Sequence, residues 1–229
     1  VSWILLTPII LFVILMVLLY VPPVQNLLRR EVTAYASKVT GMQIQVERID
    51  LRFPLNLLVR GVEVIQQPDT LLSLESLNVR VQAWPLIKGK VEVDEVTLSR
   101  VAVNSADLME GMKIKGVLGR FFLQSHGVDL SNELAVINQV ELSDTHMQLL
   151  MNDTTTTPKD ITASAPINWK VALHQLKLKN VSFGMQLPAD SMRMTAHIGE
   201  AAINNAQADL KNQYYDLKKF LLSGTSASY

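Results

Sequence analysis

Apolar and polar residues alternate along most of this chain, and at regular intervals two residues are skipped before the alternation resumes. In Val91, Val93, Val96, Leu98, Val101 and Val103, the skipped pairs are Asp94 with Glu95 and Ser99 with Arg100. The same phase returns in Ala135, Ile137, Val140, Leu142, Thr145, Met147 and Leu149, and again in Val171, Leu173, Leu176, Leu178, Val181, Phe183, Met185 and Leu187. A weaker copy runs from Ala196 to Leu210, and earlier pieces start at Ile44, Leu57 and Leu72. Strict alternation puts every second side chain on one face, so each copy predicts a half-buried β-strand. A skip of two would turn a regular strand over unless a β-bulge or a two-residue turn resets the phase, and the spacing admits both. In either case repeated units specify one continuous apolar sheet face, the pattern of an elongated, stacked architecture.

Two segments near the amino terminus depart from this period. Trp3 to Val21 carries no charge and is dominated by Ile, Leu, Val, Phe and Met, which predicts a transmembrane helix and an anchor over residues 1–23. The run ends in Val21-Pro22-Pro23 with no small-x-small cleavage site, which argues for an anchor over a removed signal peptide. Arg29 and Arg30 follow it and, taken alone, would place the carboxyl side in the cytoplasm. Then Val24, Leu27, Leu28, Val32, Tyr35, Ala36 and Val39 recur at helical spacing up to Gly41, predicting an amphipathic capping helix over 24–41. The expectation is that its apolar stripe plugs the end of the β core, with the lipid surface as the second placement.

Residues 42–229 read as β region throughout, with Gly111, Gly116 and Gly119 as candidate bends. Residues 152–165 lack apolar periodicity and contain Thr154 to Thr157, so a loop inserted between two repeats is expected there.

Composition narrows the function more than it identifies it. Twenty-one basic residues balance 21 acidic ones, which argues against a broad nucleic-acid footprint. The chain has no cysteine. His126, His146, His174 and His197 lack the close pairing of a metal-binding helix, and His146 and His174 occupy polar positions of the repeat. Gly111 to Gly119 lacks the Lys-Ser/Thr of a phosphate-binding loop, and no serine sits in a nucleophile elbow. Asp94, Glu95, Glu141 and Asp144 fall where the period demands polar residues, as expected of a solvated face. The expectation is a protein that is not an enzyme and needs no metal or cofactor.

The anchor, Val21-Pro22-Pro23-Val24-Gln25, the stretch ending Thr40-Gly41, and Ile44-Gln45-Val46-Glu47-Arg48-Ile49 together resemble the start of a TamB-type protein. That family belongs to the AsmA-like inner-membrane proteins of diderm bacteria and is similar to the repeating-β-groove lipid bridges of eukaryotes. Gly61-Val62-Glu63-Val64, Asp69-Thr70-Leu71-Leu72, Gly127-Val128-Asp129-Leu130, Ile167-Asn168-Trp169-Lys170 and the run from Leu176 to Phe183 are similar to the form found in Bacteroidota. The resemblance implies a mostly β chain: an inner-membrane helix, a short amphipathic helix, and a periplasmic β-taco, a sheet curled so that its apolar face lines a groove. It implies the first part of a longer protein whose unseen carboxyl-terminal part meets an outer-membrane Omp85-type, TamA-like barrel.

Under it, Val96, Leu98, Val101, Val140, Leu142, Leu176, Leu178, Val181 and Phe183 are expected to line the groove and be wetted by phospholipid, with no catalytic residue among them. The family is also tied to assembly of outer-membrane proteins. A third reading, a structural tether, would have the apolar face closed and dry.

Overall fold

A computed structural model describes residues 21–53, 55–87, 92–105, 111–129, 133–151, 168–188 and 191–229. The expected membrane anchor lies outside them apart from its last residues, and the expected loop at 152–165 lies wholly outside them. Among the described residues no helix is long and apolar enough to cross a membrane.

The chain opens with helix α1 (Pro22–Thr40) and passes into strands β1 (Gln43–Arg52), β2 (Asn56–Gln66) and β3 (Asp69–Val81). A short helix α2 (Ala83–Ile87) leads to β4 (Val93–Asn104), β5 (Met112–Asp129) and β6 (Leu134–Met151). After these come β7 (Lys170–Leu187), β8 (Met192–Asp209) and β9 (Tyr214–Ser228). All nine strands form one open sheet in chain order. Neighbours are antiparallel except β6 and β7, which pair in parallel, Val140 beside Leu176 and Leu142 beside Leu178. A parallel pair needs a crossover of about a dozen residues or more, where a hairpin needs two. The connection between β6 and β7 spans residues 152–169, long enough for such a crossover, and it includes the stretch read as an insertion.

Helix α1 starts on two prolines, whose missing N–H groups would have no partner in a first turn. It stops at Gly41, in left-handed conformation at φ 70°, whose N–H donates to Ser37 O at 3.0 Å. The helix lies along β1 and grips its free edge with polar side chains. Gln25 Nε2 donates to Leu51 O at 3.1 Å, Arg29 Nη1 donates to Glu47 O at 2.9 Å, and Ile44 N donates to Ser37 Oγ at 3.0 Å. The expected orientation is therefore corrected: Leu27, Tyr35 and Val39 are 56%, 71% and 66% exposed, and the polar stripe faces the protein. An edge strand has unpaired backbone groups to satisfy, and side chains with donors and acceptors do that where leucines cannot.

A β-bulge resets the phase at the Asp94 and Glu95 skip and, where β6 meets β5, at Asn138 and Gln139. Elsewhere each skip lies inside a continuous strand and the facing strand skips at the same place, so the register on both sides survives. The rows Val46–Val62 and Arg48–Arg60 leave Glu47 opposite Gly61, and further pairings place Glu75, Arg100, Gly119, Asp144, Asn180, Gly199 and Gly224 in the same line. This crease crosses the whole sheet. Gly61, Arg100, Asp144, Asn180 and Gly224 are left-handed in it, with φ of 58°, 46°, 51°, 54° and 60°. In every antiparallel pair a left-handed residue meets one that is not. Only the parallel pair sets two side by side, and there Asn180 Nδ2 donates to Asp144 Oδ1 at 2.7 Å. Gly119 is a site of close approach: a Cβ there would stand 2.7 Å from Asp144 Cβ and 2.9 Å from Asp144 O. A shorter second crease joins Asn138, His174, Asn205 and Lys218.

Candidate functional site

The two creases reset the alternation so that the apolar residues of all nine strands fall on one face. Register then aligns them into rows running across the strands. One row reads Ile49, Val59, Leu77, Leu98, Phe121, Leu142, Leu178, Ala201, Leu222, each residue opposite the next. The row beside it is Leu51, Leu57, Val79, Val96, Leu123, Val140, Leu176, Ile203, Phe220. Across the main crease come Val46, Val62, Leu74, Val101, Leu118, Thr145, Val181, Ile198, Thr225, and then a fourth row from Ile44 through Met147 and Phe183 to Ala227. At a strand spacing of about 4.8 Å, each row extends roughly 40 Å.

The nine residues singled out from the sequence all lie in these four rows. Val96, Val140 and Leu176 share one, Leu98, Leu142 and Leu178 another, Val101 and Val181 the third, and Phe183 the fourth. The apolar spacing missed Leu118, Phe121 and Leu123 of β5 and Phe220 and Leu222 of β9, which carry the rows through those strands.

A face this apolar would ordinarily be covered by a second layer. Among the described residues, each strand packs chiefly on its neighbours in sheet order, and α1 packs on β1. Among the described residues only Leu71, Leu74, Ala135 and Ala201 count as buried apolar residues, and no large side chain is fully buried. Most of the row residues are half-buried by their own neighbours along and across the strands, and Phe183 is 39% exposed. Thr145, the polar interruption of the third row, is buried, and its hydroxyl donates to Ser143 O at 3.2 Å, which removes its need for water.

The opposite face is polar and internally matched. Arg80 pairs with Glu95 at 3.2 Å, Arg48 with Asp50 at 2.6 Å, and Arg100 with Glu75 within the main crease. Asp94 accepts from Gln82 Nε2 at 2.8 Å. Glu141 lies in a row with Thr97, Phe122 and Lys177, and Arg120 stacks over the Phe122 ring at 5.8 Å. The acidic residues weighed as catalytic candidates thus sit in the hydrogen-bonded polar surface, spread over different strands. His146 and His174 are exposed on it, in different rows.

The arrangement supplies a long apolar surface, one molecular layer thick, with a hydrated back. No family model matches the chain, and no curated protein matches it.

Proposed function

We propose that this chain is the membrane-proximal part of a bridge that conducts phospholipids along an apolar β-groove, anchored in an inner membrane and reaching through the periplasm toward an outer membrane. One observation carries the reading: four apolar rows cross nine strands with no element of the described chain laid over them. Moving an acyl chain through water costs about 0.8 kcal/mol for each methylene exposed. A surface that shields the chain while the headgroup stays in water lowers that cost continuously, because the rows have no gap wider than one strand spacing. Val96, Leu98, Val101, Val140, Leu142, Leu176, Leu178, Val181 and Phe183 act as lining and take part in no reaction.

The position of α1 supports the anchor. Its exposed apolar stripe follows directly on the uncharged run Trp3 to Val21, and it holds the first strand at its edge. The resemblance to TamB-type proteins adds the partner, an outer-membrane Omp85-type barrel engaged by a carboxyl-terminal part.

Photo-crosslinking residues placed at Leu98 and Leu178, which share a row, test this against Thr97 and Lys177, which share a row on the opposite face. Phospholipid adducts in cells at the first pair alone are the expected result. Adducts at neither pair would establish a dry face and leave tethering.

The exposed apolar residues of β9 favour a second reading, assembly of outer-membrane proteins. Leu217, Phe220 and Leu222 are 50%, 52% and 49% exposed on the outermost described strand, a template on which a client strand could pair. Protein adducts at β9 with no lipid adducts at Leu98 would favour it.

A further inference from the structure

The polar face holds a concavity. It lies at one end of β5 to β9, has a volume of about 650 Å³, and is lined mostly by the alternate residues of the polar side, with Phe183 and Ala196 of the fourth row also at its wall. Lys115, Gln148, Gly184 and Thr195 are successive register partners across it. His146, Ser182, His197 and Ser226 form the parallel row beside them.

Gly184 forms the floor, and nothing in the backbone requires a glycine there. Its φ is not in the left-handed region, and a Cβ would meet only Gln148 Cγ at 3.8 Å and Met147 O at 4.0 Å, ordinary contact. This sets it apart from Gly61 and Gly119, which are hemmed in. A strand-interior glycine under no local constraint marks a place kept open for something to approach.

Lys113, Lys115 and Arg193 line this opening. Arg48, Arg80, Arg100 and Lys170 each have an acidic partner. Arg193 instead has a neutral one: Gln186 presents its amide oxygen to Nε at 3.2 Å and Nη2 at 2.7 Å, which orients the guanidinium without neutralising it. Among the described residues, no lining residue is Asp or Glu. Ser182 Oγ and His197 Nδ1 are hydrogen-bonded to each other at 3.0 Å, which fixes a hydroxyl and an imidazole side by side at the wall.

We propose that this concavity is a binding site for a phosphate monoester. Three cations, Lys113, Lys115 and Arg193, together with hydroxyl and imidazole groups suit a compact, multiply charged oxyanion. The volume exceeds that of a bare phosphate and falls within the range of about 300–1,000 Å³ usual for small-molecule sites. The phosphate belongs either to a soluble organic phosphate or to a lipid headgroup. The site lies mostly on the far side of the sheet from the apolar rows, so it stands or falls separately from the lipid groove.

The test uses the full chain in nanodiscs of uncharged lipid, titrated with glycerol 1-phosphate and, separately, with phosphatidylcholine vesicles containing phosphatidic acid. Saturable binding of glycerol 1-phosphate assigns a soluble ligand, and binding of the vesicles alone assigns a headgroup. Lys115→Glu and Gly184→Leu should each weaken the observed binding about tenfold or more. Lys177→Glu, on the same face but away from the site, should leave it within about twofold. Binding of neither probe, or an equal loss with Lys177→Glu, overturns the proposal. Lys115 is exposed on its strand, so its variant remains informative where Gly184→Leu disturbs folding.

Discussion

The two edges of the sheet are finished in opposite ways. At β1 a helix lies along the strand, and Gln25, Arg29 and Ser37 occupy backbone groups that would otherwise be free. On β9, the outermost described strand at the other side, Tyr214, Tyr215, Leu217, Phe220, Leu221 and Leu222 are exposed. Proteins normally blunt both edges, since a bare strand recruits partners. Among the described residues, only the β1 edge is covered by a helix.

The glycines of the main crease offer the largest test of this contrast. Gly61 lies beside the covered edge, where a Cβ would sit 2.6 Å from Glu47 Oε2 and 2.7 Å from Glu47 Cβ. Gly224 lies on the open edge, where the nearest atom to a Cβ is 3.5 Å away. Both are left-handed, so alanine is strained at either by about 1–2 kcal/mol. Only at Gly61 does crowding add to this, and Gly61→Ala should lose about 2–4 kcal/mol in denaturant unfolding against about 1–2 for Gly224→Ala. Equal losses would mean that the two edges are equally yielding.

A smaller effect is expected from Arg29→Ala, which frees the Glu47 carbonyl of β1 to water. About 1 kcal/mol should be lost, and amide exchange should quicken in β1 but not in β9. Leu221→Lys, on the open edge, should leave unfolding within about 0.5 kcal/mol and reduce self-association in sedimentation experiments. Unchanged association would show that β9 is not a sticky edge.

The smallest effect concerns the turn into β9. Asp209 accepts from Asn212 N at 3.1 Å and from Asn212 Nδ2 at 2.9 Å. These hydrogen bonds, chiefly the backbone one, hold its carboxyl below the ordinary carboxylate range, with Lys170 assisting. A depressed folded value means that this contribution is present above the unfolded carboxylate's pKa and is lost as pH falls through the folded one. Asp209→Asn should therefore flatten the acid limb of the stability profile slightly and leave stability near neutral pH only marginally lower.

What could be read from the chain follows from which physics is local. Val96, Leu98, Leu176 and Leu178 announce their face because alternation is a property of a single strand. In β5, Gly116 leaves a blank at an apolar position and Phe121-Phe122 are adjacent, so the phase is ambiguous until β4 and β6 fix it. Leu221-Leu222 obscures β9 in the same way. Periodicity is blind to strand direction, so the parallel pairing of β6 and β7 could not be seen. For α1 the helical period located the apolar stripe correctly, but the assumption that such a stripe turns inward failed against the hydrogen-bonding demand of an edge strand. The concavity around Gly184 needs five strands in register, and its only trace in the sequence is a glycine among bulkier strand neighbours.

The main crease also constrains how such a chain can change over generations. Because every strand skips at the same line, the crease serves as a shared reading frame. Insertion of a single residue between it and a strand end would send the apolar side chains beyond the insertion to the wet face of that strand alone. The rows would then be interrupted in one place, and partners on both sides would be mismatched. Length is therefore gained or lost most readily in the connections between strands or as whole strands added at β9, so the reach of the apolar surface is inherited in steps of about 4.8 Å.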